Sequence, residues 1–263
     1  VIDPDHRGGV AWDQFNESFE RLQKTPWRRV NEGKSHGFVT RMLRLALAYK
    51  IQKGDAILDF RGKARAFSHC PIPRDPNIVF FGAEVGWEAL LLQALFGDGG
   101  KVVLIDNDPA AYDRFLHAPT EMRTLAPRGF PSPELVIRRD ASRIEYLRED
   151  FFDVERSGEF DVGVDWGLLE HFGDDRKLAV MKKFRSFLKP GGLQLSSCPR
   201  NALGVRLFYH AFRDEMNFGY RELMSLKEFR VHLEAGGYEI LHTGTLPAHN
   251  IVVSRSGQSD PSN

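Results

Sequence analysis

The sequence predicts an α/β fold organised on a doubly wound, mostly parallel sheet with helices on both faces. Short apolar, β-prone runs alternate along the chain with longer helix-forming stretches. Most of those runs close on a glycine or an acid, which a parallel sheet would gather along its carboxyl edge. Glycine-rich breakers then separate each helix from the strand that follows it.

The stretch 77–108, NIVFFGAEVGWEALLLQALFGDGGKVVLIDND, carries this pattern most completely. Ile78-Val79-Phe80-Phe81 is short and apolar and stops at Gly82, as a buried parallel strand does. Residues 89–96 are strong helix formers, ended by Gly97, Gly99 and Gly100. The next apolar run, Val102-Val103-Leu104-Ile105, ends on Asp106. Glycines at a strand-to-helix turn let a ligand approach backbone N–H groups, and an acid ending the next strand can accept both hydroxyls of a ribose. A nucleoside-containing cofactor is the functional reading; ordinary α/β turns are the bland one. Counting from Gly82, Glu84 and Trp87 stand where a dinucleotide fingerprint has its other glycines, which argues against nicotinamide or flavin.

The 263 residues, 42% of them hydrophobic, suffice for one α/β domain with an added segment. Lysines and arginines equal aspartates and glutamates at 36 each, so no global field draws the chain to nucleic acid or membrane, and neither is expected as a partner. Cys70 and Cys198 form no disulfide framework and no metal-ligand spacing, which fits a reducing cytoplasm. No apolar run is long enough to span a membrane. Because the chain opens on Val1, a missing targeting signal carries no weight.

Two amphipathic helices are expected before the sheet. Trp12, Phe15, Phe19 and Leu22 recur at helical spacing, as do Phe38, Met42, Leu45 and Leu47. Arg21, Lys24, Arg28, Arg29, Lys34, Arg41 and Arg44 make this arm locally basic, which reads first as solvated helix faces. Such a cap can help to form a second-substrate pocket, with Trp27, His36 and Phe38 as candidates. Residues 51–76 read as a short strand or hairpin at 56–60 plus a proline-rich connection. Pro109 opens a helix reaching about His117, and a loop spans 119–133. The next strand, 135–138, runs into Asp140-Ala141, and the strand at 160–165 ends on Asp165. A helix at 174–188 stops at Pro190-Gly191-Gly192, before a strand at 193–197. Gly82, Asp106, Asp140 and Asp165 are thus expected together at one edge. The domains read as a helical cap and connector over 1–76, an α/β domain over 77–254 with a lid insertion at 201–226, and a flexible tail at 255–263.

In order and spacing, the region from about 77 to 254 resembles the class I S-adenosylmethionine-dependent methyltransferases of Rossmann-like fold, in their small-molecule branch. The residues 79–86 are similar to the family's glycine-rich first motif, Ile105-Asp106 to its ribose-binding acid and Arg139-Asp140-Ala141 to its adenine-contacting step. The most specific part is Phe160-Asp161-Val162 through Leu168-Leu169-Glu170-His171-Phe172, followed by Leu188-Lys189-Pro190-Gly191-Gly192. The resemblance implies S-adenosyl-L-methionine as cofactor and a small-molecule methyl acceptor. By it, Gly82 and Gly86 line the methionine part and Asp106 holds the ribose, with Ala83, Glu84 and Asn107 as further cofactor-binding positions. Asp140 and Ala141 read the adenine, while Asp165, Trp166 and Gly167 border the reacting methyl. Trp166 would either pack on the adenine or shield the sulfonium.

Two departures stand out. Phe80 occupies the usual place of an acid, and Glu84 that of the middle glycine. Glu84 either obstructs the pocket or supplies the missing carboxylate, so the alternative reading is a non-catalytic or cofactor-less relative of the same fold, a binding protein or an enzyme of another reaction class. Methyl transfer to oxygen or nitrogen needs a base only where the acceptor must lose a proton. His171 is the first candidate, with His210 and Tyr220 of the aromatic insertion as alternatives. No metal is expected, because Gly167 stands where ubiquinone-pathway O-methyltransferases begin a Glu, Glu, His cation set.

Overall fold

The structure, a computed structural model, describes residues 14, 17–18, 21–22, 24–53, 56–68, 70–127, 130–216 and 221–257. Nine strands among them are β1 (Ile78–Phe81), β2 (Val102–Ile105), β3 (Glu121–Leu125), β4 (Glu134–Arg138), β5 (Ile144–Leu147), β6 (Phe160–Trp166), β7 (Leu188–Pro199), β8 (Tyr238–Thr245) and β9 (His249–Ser256). Seven form one sheet in the order β5-β2-β1-β6-β7-β9-β8. The first five strands in that order pair in parallel, and β9 is antiparallel to both its neighbours. The chain therefore starts in mid-sheet at β1, winds outward to β5, and returns to β6 on the other side. That reversal beside β1 opens a crevice at the strands' carboxyl ends, the place where sheets of this kind bind ligands.

β1 and β2 are buried at every position, as their apolar runs require. One face of the sheet packs on α2 (Ala56–Phe67), α3 (Trp87–Phe96) and α4 (Pro109–His117), through Phe67, Leu91 and Phe115 among others. The opposite face packs on α5 (Asp174–Phe187) and α8 (Leu226–Ala235), through Val180, Phe184, Phe187 and Phe229. Phe81 stacks on Phe184 with ring centroids 4.1 Å apart. Local chemistry sets the helix starts. The Asp108 side chain accepts from Ala110 N–H with Pro109 in the first turn, and Ser225 with Glu228 closes a capping box on α8.

Three expectations are corrected. Residues 56–60 belong to α2, a helix; Ala64 and Phe67 continue the spacing of Ile57 and Phe60, and this longer helical period outweighs a short β-prone run. The loop at 119–133 contains β3, which pairs with β4 as a separate antiparallel hairpin. The third parallel strand is therefore β5, paired with β2, and the run at 135–138 lies outside the main sheet. The other strand and helix expectations from residue 77 to 197 are met within a few residues, except that β7 begins at Leu188, so Pro190-Gly191-Gly192 lies within the strand and not before it.

The basic arm forms α1 (Phe38–Lys53), and the insertion after β7 forms α6 (Leu203–Ala211) and the short α7 (Arg213–Met216). These share a satellite core of Leu22, Val30, Ala48, Ala211 and Phe212. Its centre is the buried Arg44 guanidinium. Arg44 donates to the carbonyls of Ala211 and Val30, pairs with Glu215 at 2.6 Å, and lies 4.4 Å from the Phe212 ring centroid. A buried guanidinium needs this many partners to repay its desolvation, and here they come from both cap and insertion. Trp12, Phe15 and Phe19 lie outside the described residues, as do 258–263; β9 itself runs through Ser256.

Gly86 sits before α3 at φ 80°, and a Cβ there would lie 2.6 Å from the Leu104 side chain. Its freedom lets α3 approach the sheet closely. Gly86→Ala is expected to cost about 2 kcal/mol or more of unfolding free energy, from the left-handed backbone and the overpacking together. Urea denaturation checks this; a loss below about 0.5 kcal/mol would show that neither constraint operates.

Candidate functional site

The crevice holds a cavity of about 370 Å³ bounded by the loops after β1, β2, β5 and β6. That is the size of a small-molecule pocket. Gly82, Glu84, Asp106, Asn107, Trp166, Gly167 and His171 of the expected residues line it. Gly82 follows β1 at φ 62°, where an added Cβ would meet Leu168 at 3.2 Å, so only glycine fits this turn without strain. Asp106 directly follows β2. Its Oδ2 accepts from Glu84 N–H at 2.9 Å and its Oδ1 from Asp108 N–H at 3.0 Å. Burial pushes the Asp106 carboxyl up, and these two bonds oppose that shift.

Glu84 takes a left-handed backbone, φ 47°, where a glycine would be at ease. Its carboxylate lies 3.0 Å from Arg114 Nε. Arg114 also meets Asp108 at 2.9 Å, so one arginine on α4 spans two acids at the cavity wall. Tyr146 O–H donates to the Glu84 carbonyl at 3.1 Å and steadies the same loop.

Several expected residues fall elsewhere. Asp140 and Ala141 precede β5, so they sit at the amino end of that strand, opposite the cavity. The Asp140 side chain accepts from the Ser142 N–H and hydroxyl. The acid that follows β5 into the cavity is Asp150, flanked by Glu149 and Phe151. Ala83 and Gly86 are buried behind the loop without lining the cavity.

Asp165 faces away as well. Strand alternation puts its side chain on the sheet face opposite that of Trp166, fully buried, where its Oδ1 accepts from Gln194 Nε2 at 2.6 Å and from the Ser196 hydroxyl. Trp166 reaches the cavity edge, yet its ring also holds the Lys63 ammonium 4.4 Å from its centroid. Among the cap and insertion candidates, His210 is exposed and lines no part of the cavity, nor do Trp27, His36 or Phe38. Tyr220 lies outside the described residues.

His171 is buried at the cavity floor in a turn of 3-10 helix. Its Nε2 is 3.7 Å from Oε1 of Glu170, whose carboxyl burial pushes up to about 7. A Cβ on Gly167 would come within 3.3 Å of the same oxygen, so this glycine is what lets the Glu170 carboxyl lie directly behind the floor. Sequence reasoning did not assign Asp150, Phe151 and Arg114. The acid after the alternating run Ile144-Glu145-Tyr146-Leu147 was a usable signal for Asp150; Arg114 had none, since only the fold brings it to Glu84. Among the described residues, no cluster of three or more histidines, cysteines or acids could hold a metal ion.

The architecture is that of the class I S-adenosylmethionine-dependent methyltransferases. A Burkholderia thailandensis 1,6-didemethyltoxoflavin-N1-methyltransferase, solved with its substrate and S-adenosylhomocysteine, superposes with TM-score 0.54 at 14% identity over 98% of this chain and 95% of that one. Human N-acetylserotonin methyltransferase in complex with its methyl donor gives TM-score 0.53 at 13% identity, over 95% and 67%. An Aquifex aeolicus methyltransferase of the same dependence gives 0.54 at 14%, over 79% and 97%. At such identities the likeness is one of fold. No protein-family model and no curated sequence matches the chain.

The buried Asp165 makes a pH prediction. Burial pushes its carboxyl from the ordinary 3.8 up to about 8, against the Ser196 and Gln194 bonds that favour the charge. The folded state then keeps a proton that the unfolded chain releases, so stability falls as pH rises from about 4 to about 8. Asp165→Asn keeps an acceptor at Oδ1 and removes this titration. Urea midpoints measured between about pH 5 and about pH 8 should decline more steeply for the parent than for the variant; parallel profiles would refute a neutral buried Asp165.

Proposed function

We propose that this protein transfers a methyl group from S-adenosyl-L-methionine to an oxygen or nitrogen of a small molecule. The observation that carries the proposal is the placement of Asp106 directly after β2, beside the Gly82 turn and lining one cavity with Asp150 and Phe151. The residues present fit the cofactor. Gly82 leaves a cradle that any side chain would fill, Asp106 retains unused lone pairs for ribose hydroxyls, and Phe151 and Phe152 offer aromatic surface next to the Asp150 acceptor. When bound, the cofactor supplies an electrophilic methyl on a sulfonium.

The chain's own part is positioning and water exclusion. Trp166, Gly167 and Leu168 close the floor of the cavity, which limits the geometries a nucleophile can adopt. His171 is the candidate base for an acceptor that must lose a proton, since its imidazole lines the cavity and can accept one.

A second reading has one observation in its favour. Glu84 puts an ion pair with Arg114 at the wall where relatives of this fold carry a glycine, and a cofactor-less, non-catalytic relative would tolerate that freely. Titration calorimetry with S-adenosylmethionine and S-adenosylhomocysteine separates the two. Both ligands are expected to bind, and Asp106→Ala should weaken each by about tenfold or more while the fold persists. Absence of binding by either ligand at millimolar concentration would establish the second reading.

Because Arg114 already engages Glu84, its carboxylate is not committed to the cofactor's ammonium. Glu84→Gly relieves the left-handed backbone and should leave S-adenosylhomocysteine affinity unchanged or tighter. A loss of about tenfold would mean that the carboxylate leaves Arg114 for the ligand.

A further inference from the structure

Helix α1 has two faces with different histories in the fold. The inner one, through Arg44 and Ala48, is buried against the insertion and its Phe212. The outer one is apolar and open: Phe38 and Val39 are each 78% exposed, Met42 51% and Tyr49 47%. Phe38, Met42 and Tyr49 fall on one stripe, spaced by one and three helical turns. Isolated exposed apolar side chains are unremarkable, but a contiguous stripe along a helix marks a contact surface.

The charge around it identifies the partner. From residue 21 to 53 there are nine lysines and arginines against a single acid, Glu32, in a chain whose totals balance, although acids outside that stretch pair with three of them, Glu17 with Arg21 and Glu215 with Lys34 and the buried Arg44. Glu32 is itself taken by Arg29 at 2.8 Å. Arg41 is exposed beside the stripe. At its far end Trp27 packs edge-on to Tyr49, ring centroids 5.3 Å apart, with the Arg28 guanidinium 5.2 Å from the Trp27 centroid.

We infer that α1 is a docking helix for an anionic lipid surface, with the apolar stripe entering the acyl boundary and Arg28 and Arg41 meeting lipid phosphates. Apolar residues flanked by bases, with Trp and Tyr at one end, are what an interfacial helix requires. A nucleic acid would satisfy the arginines and leave the Phe38 and Met42 side chains without a partner. A symmetric pairing with a second copy would bring two basic faces together and meet like-charge repulsion. The contact is peripheral, since no helix among the described residues is long and apolar enough to cross a membrane. It departs from the expectation drawn from zero net charge, because that balance hides a local excess.

Vesicle co-sedimentation tests this on the full chain and does not depend on methyl transfer, so its failure leaves the proposed function untouched. Two compositions are compared: phosphatidylcholine alone, and equal parts phosphatidylcholine and phosphatidylglycerol. The protein should sediment with the anionic vesicles only and be released by high salt. Phe38→Ser with Met42→Ser should lower the partition coefficient by about tenfold or more, and Arg41→Glu by about fivefold. All three positions are exposed, so thermal melts should match the parent; if the double variant does not fold, Arg41→Glu and the salt series still decide. Failure to sediment with either vesicle overturns the inference, as does parent-like binding by both variants. So does a parent dimer, seen in sedimentation equilibrium, that the variants dissolve, because the stripe would then belong to a second copy.

Discussion

The Asp106 carboxylate ties two turns together, and the crevice depends on that tie. One oxygen receives the Glu84 N–H of the turn after β1, and the other the Asp108 N–H of the turn after β2. Both N–H groups belong to loops that no strand partner satisfies, so without the carboxylate they would need water or would rearrange. The tie also sets the position of Asp108, whose side chain caps α4 and meets Arg114. Arg114 in turn holds Glu84. One half-buried acid therefore aligns a strand end, a glycine turn and a helix start, leaving its remaining lone pairs toward the cavity.

Beneath the crevice the sheet carries polar groups where apolar ones would be cheaper. Asp165, Gln194 and Ser196 sit side by side on β6 and β7, fully buried. Asp165 Oδ2 and Glu170 Oε2 find no hydrogen-bond partner among the described residues, and an ionised carboxylate left so would be strongly disfavoured. Neutralisation resolves the conflict, as the raised proton affinity of both acids indicates. The arrangement costs stability in exchange for fixing the ends of β6 and β7, from which Trp166 and Gly167 enter the cavity.

The parallel sheet was legible in the sequence because each of its inner strands is a short apolar run bounded by breakers, and burial on both faces demands that pattern. Asp106 was legible for the same reason, as the first polar residue after such a run. Asp140 and Asp150 show where this logic fails. Both follow β-prone segments, and composition alone does not say which segment joins the sheet; β4 pairs with β3 nearby in the chain, and β5 pairs with β2 some forty residues away. Asp165 failed differently. It lies one residue before the end of β6, and period-2 alternation turns its side chain from the edge into the core. The Glu84 to Arg114 pair joins residues on different elements at no periodic spacing, so no local pattern announces it.

Charge segregation gives the neutral chain a direction. The cap concentrates bases, while Glu84, Asp106, Asp108, Glu149, Asp150 and Asp153 border the crevice with only Arg114 and Arg176 as arginines. A low-dielectric cleft lined with one sign of charge focuses its field outward. The proposed cofactor carries a sulfonium and an ammonium against one carboxylate, so it is drawn toward this cleft, while an anionic acceptor is resisted there. The anionic surface inferred for α1 is drawn to the opposite sign, on the cap. Arg44, buried between α1 and the insertion, makes the cap and the insertion one packed unit, so whatever seats the outer face of α1 also bears on the segment expected to cover the acceptor.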